Sequence, residues 1–590
     1  TATGRAEQKL QDVAFSAYLE RQNEGYQLRL DGLAFSHGET RWGPLQLAAS
    51  LHGTGDSEQL QLQLDRLELA PLAGLLETLA PLPEAVNDWL VGLKPHGQIS
   101  NLSLSYQPQG QTPERLKFAA NVDAIGVSPY SDVPGLENIS GSISGNFAGG
   151  ELRLDAENFV LNLAGIFPQA WHYRRANSAL QWQVDEQAFT LSSPYIKLDG
   201  EEGKLTGDLL IHLPYAADSE SYMDLRVGLR EGNAAFTSKY LPSPSASFTT
   251  GLADWLKTAI RGGAIDQGIF EYQGALSPDA AAAASTLGLY FKVHGLELDY
   301  QSGWPALTDA EGEVFVGDSG VQVAVSRGRI LDSQVSAVQA EVAAVTGKQV
   351  AKLALSADLD SSVVDGLKIL QQAPLGTAKT FAGWQGNGAL EAKLQLDIPL
   401  AGNQPPLVVD DFAAKGATLK MPEPDLSLSQ IQGDFRYHSV NGLTSTRYSL
   451  KAFDRPVSGR IQNVGSRGKP RTRIEANGSI ALSTLTAWLK LPPQPLPVSG
   501  MLPYQVSLLL DDSPQLLINS TLQGLVIDLP APFGKTATET RNSRLRMNLS
   551  GAESRYYARY ADLASLAFAA PAGDWSKGRG ELVLGGAKAS

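Results

Sequence analysis

A chain of 590 residues exceeds the size at which one compact core keeps growing, so it folds as several domains or as a repeat array. Its 48 Lys and Arg against 62 Asp and Glu give a formal charge of -14, which repels nucleic-acid phosphates and anionic membrane surfaces and disfavours nucleic acid as a partner. It has no cysteine, which removes disulfide frameworks, thiolate metal sites and thiol nucleophiles together.

The first residues, TATGRAEQKL, have neither a basic start nor an apolar signal core, so any export signal or anchor is expected upstream or already removed. Leu60, Leu62 and Leu64 then alternate with polar residues, the period of a strand with one apolar face. The most apolar stretch, Leu72 to Leu93, contains Glu77, Pro81, Pro83, Glu84 and Asp88 and cannot span a bilayer, so the chain is expected to be soluble. Within it Val86, Trp89, Leu90 and Leu93 follow helical spacing. Strand alternation returns at Leu102, Leu104 and Tyr106, and a pattern Val133-Pro134, Leu136, Ile139, Gly141, Ile143 follows. A second helix is predicted on Leu252, Trp255, Leu256 and Ala259, capped by Thr249 or Thr250 and ended by Gly262.

The segments after these two helices match without a gap. Gly97 aligns with Gly263, Ile99 with Ile265 and Tyr106 with Tyr272. Leu287, Leu289, Phe291 and Val293 form the next strand, and Trp304-Pro305, Leu307, Ala310, Gly312 and Val314 repeat the earlier pattern. Val321, Val323 and Val325 follow the string Gly317-Asp318-Ser319-Gly320, whose flanking alternation makes it a hairpin turn rather than a protease nucleophile loop. A third helix is predicted after Ser361 and Ser362 on Val363, Val364, Leu367 and Leu370. The clearest strand runs from Leu390 to Leu400, with Leu390, Ala392, Leu394, Leu396, Ile398 and Leu400 on one face. The pattern recurs at Leu428, Ile431, Gly433 and Phe435, a short fourth helix follows Ser483 on Leu485, Trp488 and Leu489, and the last strands carry Val506, Leu508 and Leu510, then Leu545, Met547 and Leu549. Loops are expected at Gln107 to Pro113, Pro278 to Ser285, Gly402 to Pro406, Gly465 to Pro470 and Pro492 to Pro497.

Strands with one apolar and one polar face pair antiparallel, since parallel sheets buried on both sides read as continuous apolar runs. The fold class is therefore all-β: an elongated, curved, mostly antiparallel sheet forming an open groove, with a few short amphipathic helices and about 35 strands about 4.8 Å apart. Repeat units are expected at 1–110, 111–276, 277–400 and 401–515, with a partial last unit at 516–590, in one continuous rod.

No catalytic constellation stands out. The seven histidines are isolated, which suits surface or loop positions rather than a metal site, and no cofactor or metal is expected. Gly534-Lys535-Thr536 lacks the upstream glycine of a phosphate-binding loop, since Leu529 stands there. The basic run Arg467 to Arg473 reads as a solvated loop, and the helix tryptophans as core anchors.

Four strings together resemble one family: LPEAVNDWLVGLKPHGQISNLSLSY from Leu82, YLPSPSASFTTGLADWLKTAI from Tyr240, the Gly303-Trp304-Pro305 segment, and LQGLVIDLPAPFGKTA from Leu522. They are similar to the large AsmA-like proteins of Gram-negative bacteria. The resemblance covers almost the whole chain and corresponds to the central periplasmic portion of a protein whose other members add an N-terminal inner-membrane helix and sequence at both ends. It implies a non-enzymatic, bridge-like lipid carrier anchored in the inner membrane, with glycerophospholipid as cargo. It further implies contact with inner and outer membranes through the missing terminal regions, with membrane proteins as possible partners. The family is also linked to outer-membrane barrier function and to a cyclic surface polysaccharide. A greasy face lacking a second sheet to cover it suits acyl chains, and the expected lining is Leu102, Leu104, Leu289, Phe291, Val293, Val323, Val325, Leu390, Leu394, Leu396, Ile398, Val506, Leu508, Leu510, Leu545, Met547 and Leu549. The rival expectation is a scaffold or assembly factor for outer-membrane or polysaccharide machinery that carries no lipid.

Overall fold

The computed structural model describes residues 10–585 apart from 23–24, 54, 73, 76–83, 111–112, 114, 132, 217, 245–247, 277–283, 345–349, 403, 467–468, 470, 492–495, 512, 552 and 572–576. The described residues give 32 strands, which form an open antiparallel architecture. Contacts divide the chain into two units, Thr1–Leu298 with Glu313–Ser319 and Asp299–Gly312 with Gly320–Ser590.

In the first unit, successive strands from Leu10–Gln22 to Ser285–Leu298 pair antiparallel, each with the next in the chain. The second unit is the same kind of meander from Gly320–Ile330 to Arg579–Leu584. Two short strands are added there, Gln385–Asn387 beside Leu407–Met421 and Leu525–Ile527 beside Val498–Leu510. Short connections between alternating strands dictate this order, because a neighbour in sequence is the partner with the lowest loop-closure cost. Among the described residues no first-to-last pairing closes either sheet.

The recurring sequence pattern is a bulge signature. In Gly135–Asn146 the apolar side chains Leu136 and Ile139 are three apart, not two, because Asn138 between them holds φ +61 and shifts the register against the next strand. Asp309 and Gln430 occupy the same place in the other two copies, at φ +50 and +52. One extra residue in the left-handed region bends the strand and keeps apolar side chains on one face across the bend. The glycine two residues after each apolar slip is there for space: a Cβ on Gly141 would lie 1.9 Å from the Arg153 carbonyl oxygen, and one on Gly312 2.4 Å from that of Ala324. Ala124, Asn158 and Gly295 in the first unit, and Ala337 and Gly416 in the second, bend their strands in the same way.

Four α-helices are bounded among the described residues: α1 (Glu84–Leu93), α2 (Thr250–Ala259), α3 (Val363–Gln372) and α4 (Leu482–Trp488). In the first unit α1 leads into the strand His96–Tyr106 and α2 into Ile260–Ala275, and the alternating strand directions put both at one edge of the sheet. In the second unit α3 and α4 likewise share one edge. Among the described residues, the opposite edge of each sheet carries strand-to-strand turns and loops, with one short 3-10 turn at Gly55–Ser57. Most of these bulges lie in the helix-side half of their strands, whereas the shift between Gly433 and Arg436 lies on the turn side.

Local chemistry fixes these helices. Thr249 caps α2 by accepting from the Leu252 N–H at 3.3 Å, and Ser362 caps α3 through the Asp365 N–H. The buried Asp365 carboxylate accepts from the Asp332 N–H at 3.1 Å and the Ser333 hydroxyl at 2.8 Å, tying α3 to the turn before Ser333–Ala343. Three expectations are corrected. Helix α2 ends at Ala259 and passes straight into a strand, so Gly262 is a strand residue, because the chain at Ile260 turns extended at φ -86 and ψ 107. Helix α4 begins at Leu482, ahead of Ser483. Trp89 and Trp255 are surface rather than core residues, each 42% exposed, with Trp89 edge-on to Tyr130 at 5.4 Å. The loops expected at 278–285 and 492–497 lie mostly outside the described residues.

Candidate functional site

Paired residues in an antiparallel ladder point to the same face, so register traces each face across strands. In the first unit one row runs Leu28, Ala49, Leu62, Leu104, Phe118, Gly145, Gly150, Trp182, Leu191, Ile211, Met223 and Gly274, each opposite the next. Every member is apolar or glycine. Leu102 lies on this face opposite Leu64, and Leu289, Phe291 and Val293 join it opposite Phe270, Gly268 and Ile265. Trp182 packs over Gly145 and Gly150, where a Cβ would meet its ring, and stacks on Phe118 at 6.4 Å.

Four rows define an apolar face in the second unit. Val323, Ala340, Leu355, Leu396 and Val408 form one, and Ala357, Leu394, Asp410, Tyr437 and Leu443 the next. Farther along run Ile461, Ile474, Leu508, Leu516, Met547, Tyr556 and Phe568, beside Ala476, Val506, Ile518, Leu545, Ala558, Leu566 and Leu582. Val325 faces Val338, Ile398 faces Leu353, Leu390 faces Ser361 and Leu510 faces Thr472, all in continuity with these rows. Leu549 lies just past the strand Ser543–Asn548, its N–H held by the Pro514 carbonyl at 2.9 Å.

Burial of this face is graded. Buried residues form small clusters in the helix-side half: Leu154, Ala156, Phe159, Tyr173 and Ala176; Ala234, Ile265 and Val293; and Val335, Val338 and Ala357. Toward the turn edge the same face opens, with Tyr26 50%, Leu60 43%, Leu287 41% and Leu510 42% exposed. A cleft of 580 Å³ is lined by Gly145, Gly150 and Trp182 of this face, and another of 830 Å³ lies beside Tyr504 and Arg541.

Sequence reasoning missed the aromatic members, Phe118, Trp182, Phe412 and Phe435, although alternation with their neighbours carried the signal; Phe412 and Phe435 stack at 5.2 Å. It also missed Asp410, the one charged side chain in these rows. Elsewhere the chemistry is structural. The Lys535 ammonium donates to the carbonyls of Leu522, Leu525 and Thr536 at 2.9, 2.5 and 2.8 Å, which turns the Gly-Lys-Thr string into a buried clamp on its own loop. Glu202, 2% exposed, accepts from Lys239 at 2.7 Å and from the Tyr240 hydroxyl, beside Tyr173. Burial pushes the Tyr173 and Tyr240 phenols far up, so both stay protonated donors. His96 meets Glu137 and His294 meets Asp266, each at 2.8 Å on exposed surface. Arg471 in the basic run pairs with Asp511 at 2.6 Å, while Arg467 lies outside the described residues. Among the described residues, no three His, Asp or Glu are grouped to hold a metal, and no helix is long and apolar enough to cross a membrane.

A family model described as "YhdP protein" matches residues 1–590. The chain is 22% identical over 556 residues to the Escherichia coli K12 protein named intermembrane phospholipid transporter YhdP, covering 89% of this chain and 42% of that one. It thus spans less than half the length of that relative. No solved structure matches it.

Proposed function

This chain belongs to the YhdP family, and from that premise we propose that its apolar face carries the acyl chains of phospholipids through the periplasm between inner and outer membranes, without catalysis. The observation that carries the reading is the apolar register across neighbouring strands within each unit, interrupted at Asp410 and left half-exposed toward the turn edge. An apolar strip of this size is costly in water, and hydrocarbon is its natural cover. At about 0.8 kcal/mol per buried methylene, a 16-carbon tail gains on the order of 10 kcal/mol, while its headgroup stays in solvent beyond the turn edge.

Movement requires that no level hold a chain far better than the next. Rows built from Leu, Val, Ile, Ala and Phe meet that condition, because dispersion contacts vary little from strand to strand. The lining is the expected set from Leu102 to Met547, extended by Phe118, Trp182, Phe412 and Phe435. The name of the E. coli relative, an intermembrane phospholipid transporter, agrees with this reading.

Leu394→Glu and Phe291→Arg each place a charge in the path while changing one side chain on an open face. Both variants are expected to keep wild-type circular dichroism and to lose phospholipid transport in a cellular complementation assay. Normal transport by the folded variants, or purified protein from which solvent extraction recovers no lipid, would remove this function and leave a scaffold role.

A further inference from the structure

Asp410 sits where an apolar residue belongs. It lies in Leu407–Met421 between Val408 and Phe412 on the same face, opposite Leu394 on one neighbouring strand and Tyr437 on the other. Its Oδ1 is buried and has no hydrogen-bond partner. Among the described residues the ladder neighbours supply no counter-charge on that face, where Tyr437 is the one ionisable neighbour. Lys393, Asp411 and Arg436 line up on the opposite face, where Arg436 meets Asp411 at 3.6 Å, and His438 stands opposite Val409 with its Nδ1 accepting from the Val440 N–H. The strand Gln385–Asn387 pairs with Thr418 to Lys420 at the far end, and α3 with Asp365 and Lys368 packs beside it there. Burial first, then the neighbouring Asp411 charge, push the Asp410 carboxyl up to about 6.

We propose that Asp410 is a protonation gate on the apolar face: an acyl chain settles across this level when the carboxyl is neutral and is turned away when it is ionised. The proposal rests on the acyl-carrying reading above and adds a regulated point to it. A hydrocarbon chain over Asp410 strips water from the carboxylate, which has no donor in the protein to replace it, so bound chain favours the protonated form. Linkage is reciprocal, so protonation tightens chain binding, about tenfold for each unit by which the chain raises the carboxyl's pKa. The cargo class is the hydrocarbon itself, whatever its headgroup.

The test uses the purified chain with spin-labelled phosphatidylcholine, whose own headgroup does not change charge between about pH 5 and about pH 8. For the wild type, probe affinity is expected to fall about tenfold across that range with a midpoint near 6, whereas Asp410→Asn and Asp410→Leu keep the acid-side affinity throughout. Binding by the wild type without pH dependence, or the same dependence in both variants, overturns the gate and leaves the acyl-carrying function standing. Loss of binding by both variants at every pH overturns it in favour of a carboxylate that holds a cationic group. No probe bound by any form at any pH overturns the gate and the acyl-carrying function together.

Discussion

Lys535, in a string that shares only its Gly-Lys-Thr with a phosphate-binding loop, is a structural residue. A buried ammonium with three carbonyl partners has no donor left to offer a phosphate, and its removal strands those carbonyls. Lys535→Met is expected to lose about 2–4 kcal/mol, measured by urea unfolding, with early proteolytic cleavage in the loop it holds. Asp410 carries a pH signature of its own. Its carboxyl is raised above the unfolded value of about 4, so the unfolded chain releases that proton first and stability declines as pH rises from about 4 to about 6. Asp410→Asn removes the decline: its midpoint in urea is expected to match the wild type near pH 4 and exceed it at pH 8. Neither residue was legible in the sequence, because the role of an isolated Lys or Asp depends on which atoms surround it and not on its neighbours in the chain.

The strand, by contrast, was legible wherever its period of two ran without interruption, as from Leu390 to Leu400. What the sequence carried without explaining was the three-residue slip at Leu136 and Ile139 and its copies. Its cause is a backbone angle, and Asn138, Asp309, Gln430 and Ala337 share no side chain that announces φ near +50. Ala337 pays the steric cost of that conformation without even a polar side chain to offset it. Ala337→Gly is therefore expected to gain up to about 1 kcal/mol and Ala337→Val to lose about 1–2 kcal/mol in urea unfolding, opposite signs at one position. Helical stripes located α1 to α4, yet the tryptophans on them face partly outward. A stripe of three or four residues on a ten-residue helix does not say which flank meets the sheet.

At the scale of the whole molecule, the described strands of each unit pair with their neighbours in sequence, so stability resides in adjacent interfaces rather than in one common core. Ala357→Arg puts a charge beside Leu394 and Val338 in such an interface. Hydrogen exchange is expected to quicken about tenfold per 1.4 kcal/mol lost in Lys352–Ser362 and the strands flanking it, Ser333–Ala343 and Ala389–Pro399, and to stay unchanged in the strands before Leu298. Uniform quickening through the chain would contradict this local picture. The all-β class, the antiparallel pairing and the apolar face were readable from alternation; the division into two units was not, because no linker of distinct composition marks it.

Helices, most of the bulges and the small buried clusters gather along one margin of each sheet, while the other is held by backbone pairing and turns. A strip riveted along one seam leaves its second margin to ladder hydrogen bonds alone, so lengthening the turns there is expected to quicken hydrogen exchange at that margin while the seam stays protected.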